Sequence, residues 1–227
     1  KGVIGGEFRL GIIPTVMPTL LPMFLNNFIK KYPKVKLKIE ELTTEEIITR
    51  INDGHLDAAI AATPLENDHI KERVLYYEPF VAYIPSSHRL KDKKILEVSD
   101  LEIEDMLLLE DGHCFRDGVL NLCKTFKNPA DNHFQLESGS IETLIKLSNE
   151  GMGMTLLPYL HTLDIKENFN TNLKHFKEPS PAREVSMIYH KSELKMQIID
   201  AMFNVISGIV RGAIAFQNVE IISPLAK

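Results

Sequence analysis

Cysteine is scarce in this chain of 227 residues, where Cys114 and Cys123 are the only two. A single pair argues against the disulfide-rich frameworks of small secreted proteins and favours a reducing compartment, so we expect a cytoplasmic protein. Long apolar runs are missing too, because none reaches the roughly 18–20 residues that a membrane-spanning helix needs. The sequence therefore gives no reason to expect a membrane partner.

Positive charge is also limited. The net charge is −5, and the sequence contains neither an arginine-rich stretch nor a basic stripe, so this chain alone is expected to bind nucleic acid poorly. The first six residues contain no initiating methionine and no hydrophobic leader, which is typical of a piece of a longer protein. An apolar content of 44% with 25% charged residues predicts a globular protein of one large or two small domains.

The two cysteines fall in a segment with helical periodicity, in which Val119, Leu122, Cys123 and Phe126 share one face. In a helix, the nine-residue step from Cys114 would separate the two Cα atoms by roughly 13.5 Å along the axis. A disulfide needs Cα atoms within about 7 Å. The pair can bridge only if the helix melts, so oxidation would act as a conformational switch.

The neighbours of the two thiols differ. Cys114 follows His113 at the predicted helix start and precedes Arg116, and both the helix dipole and a nearby cation lower a thiol pKa and favour the thiolate. Cys123 lies on the apolar face. The asymmetry indicates an attacking thiol and a resolving thiol, although two inert buried cysteines would be an ordinary alternative.

The rest of the chain alternates strand and helix signals. Strands at 8–13, 35–39 and 56–61, separated by helices, predict parallel strands covered by helices. A second α/β unit follows, and the chain returns to the first at Pro179-Ser180-Pro181 before a long helix that begins at Glu193. We predict an α/β fold of two Rossmann-like lobes, with residues 7–78 plus 182–227 forming lobe I and residues 79–181 forming lobe II with the cysteines. A cleft between two such lobes is a usual location for a ligand site.

Three blocks of sequence resemble the effector domain of LysR-type transcriptional regulators. The first is the opening strand that leads into Ile13-Pro14-Thr15, the second is the G-x-L-D-x-x-I pattern at 54–60, and the third is the G-x-G-[IM]-x-x-L-P pattern at 151–158. Together they span nearly the whole chain. Residues 109–117 with Cys123, supported by His133-Phe134 and residues 140–144, resemble the peroxide-sensing regulators within that family.

The resemblance implies a two-lobed fold like that of periplasmic binding proteins, and a regulatory domain rather than an enzyme, with no metal and no cofactor. A winged helix-turn-helix absent from this sequence would precede it and bind promoter DNA. Homodimers would pair into tetramers. Hydrogen peroxide would be the signal, with Cys114 as the peroxidatic thiol and Cys123 as the resolving thiol. A glutaredoxin- or thioredoxin-like reductant would reset their disulfide.

The resemblance also implies a pocket that holds peroxide and supports the thiolate. By position its residues would be Thr15, Thr44, His113, Arg116, His133 and Arg183. Plainer roles are open to each: the threonines are expected in any case at helix N-termini, where they can serve as N-caps, and the second histidine can lie on the surface. Arg116 can form a solvated ion pair with Asp117 or Glu110, which would contribute little. The tail at 218–224 departs from the family pattern.

Three rival functions fit parts of the sequence. A solute-binding protein would share the fold but would have no use for a reactive thiol. A thiol peroxidase would begin with the same chemistry at Cys114 and then turn over. A LysR-type regulator of a small carboxylate would bind the anion at helix N-termini through Thr15 and Thr44. The mass of the domain after one equivalent of peroxide distinguishes the thiol-based functions from the two binders.

Overall fold

Strands and helices alternate at the start of the chain, as the sequence predicts. The computed structural model describes residues 2–123, 134, 136–214 and 218–227. Its first elements are β1 (Gly6–Ile12), α1 (Met17–Lys31), β2 (Val35–Glu41), α2 (Thr44–Asn52) and β3 (Ala58–Thr63). β1 pairs in parallel with both β2 and β3. The predicted parallel sheet with helical connections is therefore confirmed.

The later elements alternate less regularly. They are β4 (Ile70–Tyr83), β5 (Ile95–Leu96), α3 (Cys114–Cys123), α4 (Ile141–Asn149), β6 (Thr155–Pro158), α5 (Tyr159–Thr162), β7 (Leu173–Phe176), β8 (Ser180–His190), α6 (Met196–Ala213) and β9 (Val219–Ile221). The sequence also predicts a strand at residues 133–136, which lie mostly outside the described residues. No described helix is long and apolar enough to cross a membrane.

By its internal contacts the chain divides into two compact units. Unit 1 comprises residues 1–77 and 184–215, and unit 2 comprises residues 78–183 and 216–227. β4 and β8 each run from one unit into the other. The tail belongs to unit 2, whereas the sequence placed it in lobe I. The reason is that β9 pairs in parallel with the first residues of β8, which lie in unit 2.

Unit 1 has the parallel sheet extended by an antiparallel strand, since β3 pairs with β8 from Ala59↔Ile188 to Thr63↔Glu184. Asp57, from the G-x-L-D block, is 3% exposed and accepts hydrogen bonds from the Arg9 backbone N–H (2.7 Å), the Arg9 guanidinium (3.0 Å) and Lys195 (3.1 Å). Burial alone would raise the pKa of Asp57, but the hydrogen bonds from Arg9 and Lys195 outweigh it and hold that pKa below its usual value. This block of the family pattern therefore ties β1, β3 and α6 together.

Unit 2 has its core around the end of β4, which pairs antiparallel with β6 and β7, while β5 pairs in parallel with β7. The G-x-G block runs into β6 and contains Gly153 at φ +150°, where an added Cβ would lie 2.7 Å from the Asp105 carbonyl oxygen. Only glycine permits that approach. The apolar face of α3 packs into this core through Phe115, Val119 and Leu122, which are at most 4% exposed.

Candidate functional site

The two cysteines lie at opposite ends of α3. The predicted helix is confirmed from Cys114 to Cys123, and both cysteines are half-buried and not in a disulfide. Nine helical steps separate their Cα atoms by roughly 13.5 Å along the axis, about twice the span that a disulfide tolerates. In this arrangement the thiols cannot react with each other.

The turn that leads into α3 is held by Arg116. Its Nη1 donates to the Leu109 carbonyl oxygen at 2.8 Å, and its Nε lies 3.0 Å from Asp111 Oδ1. Gly112, at φ +93°, supplies the left-handed residue that the turn needs. The partner of Arg116 is thus Asp111 rather than Asp117 or Glu110. The side chain of Arg116 is only 13% exposed, so its cation is held at the first turn of the helix instead of moving freely in solvent.

His113 is buried beside the same turn. Its carbonyl oxygen accepts from the backbone N–H groups of Arg116 (3.0 Å) and Asp117 (3.4 Å), which fixes the first turn of α3. Its Nε2 lies 3.5 Å from Glu110 Oε1, and a Cβ added at Gly139 would come within 2.8 Å of that nitrogen. The ring therefore fits closely against a glycine, next to the residue that carries the first thiol.

Asp117 is an ionisable group of this turn that sequence reasoning treated only as an ion-pair partner. Burial is the main cause that raises its pKa, and Asp111 raises it further while Arg116 lowers it. The H-C-x-R-D pattern would have indicated it, because its carboxyl group lies in the first turn after Cys114. The helix start thus carries a histidine, an arginine and a carboxyl group within three residues of Cys114 in sequence.

Cys123 has a very different environment. Burial, followed by the negative charge of Asp105, raises the pKa of its thiol to about 11. Asp105 Oδ2 hydrogen-bonds with His88 Nε2 (2.7 Å) and accepts from Arg89 Nε (3.1 Å), while its Oδ1 is buried without a partner among the residues that the structure describes. No sequence signal connects Asp105 to Cys123, since only tertiary packing places them near each other. The predicted asymmetry of the thiols fits this contrast, because Cys123 stays protonated at neutral pH.

Arg183, which the resemblance assigned to the pocket around the thiolate, contacts a residue of α3. Its guanidinium stands 5.3 Å from the ring of Phe115, the residue after Cys114. The same guanidinium forms a buried ion pair with Glu78, with Nη2 and Nε at 2.7 and 2.8 Å from Oε1. Glu78, which sequence reasoning missed, also accepts from the Leu160 backbone N–H at 2.9 Å. The positive charge of Arg183 is thus fixed in place by Glu78 and partly compensated.

The two threonines lie in unit 1, and neither is the N-cap of its helix. Val16 holds that position in α1 and Thr43 in α2, where Thr43 and Glu46 form a capping box. Thr15 is buried at 3% exposure. The Thr44 hydroxyl is buried and has no hydrogen-bond partner within the described ranges, a state that normally costs free energy unless a ligand relieves it. The remaining predicted residue, His133, lies outside the described residues.

Metal ligands do not gather in the described part of the chain, where no three histidine, cysteine, aspartate or glutamate side chains are placed to hold an ion. Cys114 lies at the N-terminal end of α3 and Cys123 at its C-terminal end.

A family model and curated relatives match this chain. The model of the LysR substrate binding domain matches residues 1–207. A "probable hydrogen peroxide-inducible genes activator" of Mycobacterium leprae is 33% identical over 187 residues, and the "DNA-binding transcriptional dual regulator OxyR" of Escherichia coli K12 is 31% identical over 186. Each match covers 82% of this chain and 60% of the relative, so the chain spans about three fifths of their length.

Among solved structures, a hydrogen-peroxide-bound mutant of OxyR from Corynebacterium glutamicum superposes with a TM-score of 0.81 at 27% identity. The match covers 97% of this chain and 72% of that one. The predicted α/β fold of two lobes, of the periplasmic-binding-protein type, is confirmed by these matches. The chain belongs to the LysR substrate binding domain family.

Proposed function

We propose that this chain is the regulatory domain of a LysR-type transcription regulator that senses hydrogen peroxide through Cys114. The observation that carries the proposal is the position of Cys114 at the first residue of α3, between buried His113 and the fixed cation of Arg116. A helix N-terminus and a cation both favour the thiolate, which is the form that attacks peroxide. The names of the relatives from M. leprae and E. coli support the same function.

In the first step, the Cys114 thiolate attacks one peroxide oxygen and the O–O bond breaks. The thiol sulfur is oxidised to a sulfenic acid, and the departing hydroxide takes a proton from His113 or His133 to leave as water. The buried hydroxyl of Thr44, which lacks a partner in the described residues, supports the expectation that this threonine binds a ligand.

In the second step, the Cys123 sulfur displaces the sulfenic hydroxyl group. An S–S bond forms, and the thiol proton and the hydroxyl leave as water. The disulfide is the two-electron oxidation product of the two thiols. The helix must unwind for this step, because its two ends cannot meet. The raised pKa of Cys123, about 11, keeps that thiol unreactive until unwinding removes it from its buried position.

Unwinding supplies the signal. It exposes Phe115, Val119 and Leu122, which are buried in the reduced helix, and these side chains then pack elsewhere. Closing a loop of ten residues in the unwound segment costs roughly 3 kcal/mol in the chain-entropy model, and loss of the helix and its packing also opposes the disulfide. A disulfide opposed in this way is readily reduced by a glutaredoxin- or thioredoxin-like protein, as a resettable sensor in the cytoplasm requires.

The partners of the whole protein are part of the proposal. Promoter DNA would be bound by a winged helix-turn-helix outside this chain, in a homodimer that pairs into a tetramer. Half-buried apolar residues of α6, such as Phe203 and Ile209, together with the open space around Gly208 and Gly212, support a subunit contact on that helix.

One experiment tests the sensor. The reduced protein receives one equivalent of hydrogen peroxide, and its intact mass is measured with and without a dimedone-type trap for sulfenic acid. Wild type is expected to lose two hydrogens, Cys123→Ser to yield trapped sulfenate on Cys114, and Cys114→Ser to remain unchanged. Unchanged wild-type mass would reject peroxide sensing in favour of a small carboxylate as effector, and continuous peroxide consumption with a thiol reductant would indicate a peroxidase.

A further inference from the structure

Asn121 of α3 binds the C-terminal strap, which comprises residues 218–227. The side-chain nitrogen of Asn121 donates to two backbone carbonyl oxygens of the strap, Ser223 O at 2.9 Å and Leu225 O at 2.8 Å. Within the strap, the Leu225 backbone N–H donates to Ser223 Oγ at 3.2 Å, which shapes the turn that presents both carbonyls. One amide group on α3 thus binds two carbonyl groups that are more than a hundred residues away in sequence.

The other end of the strap is anchored in the sheet of unit 2. β9 pairs with β8 from Ser180↔Val219 to Ala182↔Ile221, and the Ile222 backbone N–H donates to the Ala182 carbonyl at 2.9 Å. Pro224 is buried. Because β9 fixes one end and Asn121 binds the other, the strap connects α3 to a strand that does not depend on the helix.

The position of Asn121 matters because it lies between the two cysteines, two residues before Cys123. Unwinding α3 to bring the thiols together would move Asn121 and break both of its hydrogen bonds. The match to the family model ends at residue 207, before the strap begins.

We infer that Asn121 is a positioning residue for disulfide formation: through the strap it holds α3 helical, opposes the bridge and is released when the bridge forms. The inference rests on the proposed function, since it concerns the second step of that chemistry. Asn121 takes no part in the first step, the attack of Cys114 on peroxide.

The test uses Asn121→Ala in the otherwise complete chain, because two effects of this variant have opposite signs. Alanine has a higher helix propensity than asparagine, which should shift the thiol–disulfide equilibrium roughly threefold towards the thiol state. Loss of the two hydrogen bonds destabilises the helix, which should shift the same equilibrium about 30-fold towards the disulfide. The thiol–disulfide equilibrium constant should therefore move about tenfold towards the disulfide, equivalent to about 30 mV for this two-electron couple.

Redox titration in thiol–disulfide buffers measures that constant, and stopped-flow after a peroxide pulse measures the two steps. We expect Asn121→Ala to leave the rate of sulfenate formation, followed in the Cys123→Ser background, unchanged and to accelerate disulfide formation. The matched control is Asn168→Ala, which changes an exposed asparagine of the same unit and should shift neither quantity.

Removal of residues 218–227 completes the test as a double-mutant cycle. In the shortened chain, Asn121→Ala should no longer favour the disulfide and should show only the opposite, propensity-driven shift. The inference is overturned if Asn121→Ala in the full chain opposes the bridge or leaves the equilibrium unchanged, whether or not the shortened chain folds. Wild type that forms sulfenate but no disulfide would reject the inference alone, and wild type that forms neither would reject the proposed function as well.

Discussion

Leu122 provides a direct measure of whether α3 unwinds on oxidation. It is 3% exposed in the free-thiol helix and packs into the core of unit 2. Truncation of such a buried leucine to alanine costs about 2–5 kcal/mol. If the side chain leaves this core for a less buried position when the bridge forms, most of that cost falls on the thiol state.

The expected consequence is a shift of the reduction potential. A loss of about 3 kcal/mol from the thiol state corresponds to about 60 mV, in the negative direction, because Leu122→Ala makes the disulfide comparatively more stable. The potential is measured by equilibration with glutathione or dithiothreitol buffers of graded ratio, followed by alkylation and mass analysis of the free thiols.

Leu144→Ala is the matched control. Leu144 is 1% exposed in α4 and belongs to the same core, but it lies outside the segment between the cysteines. Its truncation should destabilise both redox states equally and leave the potential unchanged. An unshifted potential in Leu122→Ala, or an equal shift in both variants, would mean that α3 keeps its packing in the disulfide state, and the switch would have to be abandoned.

Three further predictions concern ionisable groups. The thiol of Cys123, titrated by thiolate absorbance with the other cysteine replaced by serine, should ionise near pH 11, and at a lower pH in Asp105→Asn. Because the fold raises the pKa of this thiol, its contribution to the free energy of unfolding is complete below about pH 8.5 and is lost as the pH rises through the pKa of the folded protein. Glu78→Ala should lower the free energy of unfolding by about 3–5 kcal/mol in denaturant titrations, because it leaves Arg183 buried without its carboxylate, and replacement of both residues by leucine and methionine should recover much of the loss. Asp57→Asn should destabilise by about 1–3 kcal/mol at neutral pH, and the difference from wild type should shrink as the pH falls below about 3.9, since the pKa of Asp57 is lowered in the fold; a difference that stays constant with pH would contradict this.

The helix that carries both thiols could be predicted from the sequence alone, and with it the separation of the cysteines. Helical periodicity is a local property, so the spacing of Val119, Leu122 and Cys123 was sufficient to place them on one buried face. The parallel arrangement of β1, β2 and β3 was predictable for a similar reason, since short strand–helix–strand connections allow little else.

Tertiary structure decided the partners of the charged groups. Glu78 meets Arg183 across 105 positions of sequence, Asp105 approaches Cys123 from a separate turn, and Asn121 binds carbonyl groups of the C-terminal strap. None of these pairs leaves a periodic signal, because the distance between two side chains depends on how whole elements pack. The lobe to which the tail belongs could not be predicted, for the same reason. Its few residues carry too little hydrophobic pattern to specify a neighbour, and backbone hydrogen bonds to β8, which any sequence can form, placed it in unit 2.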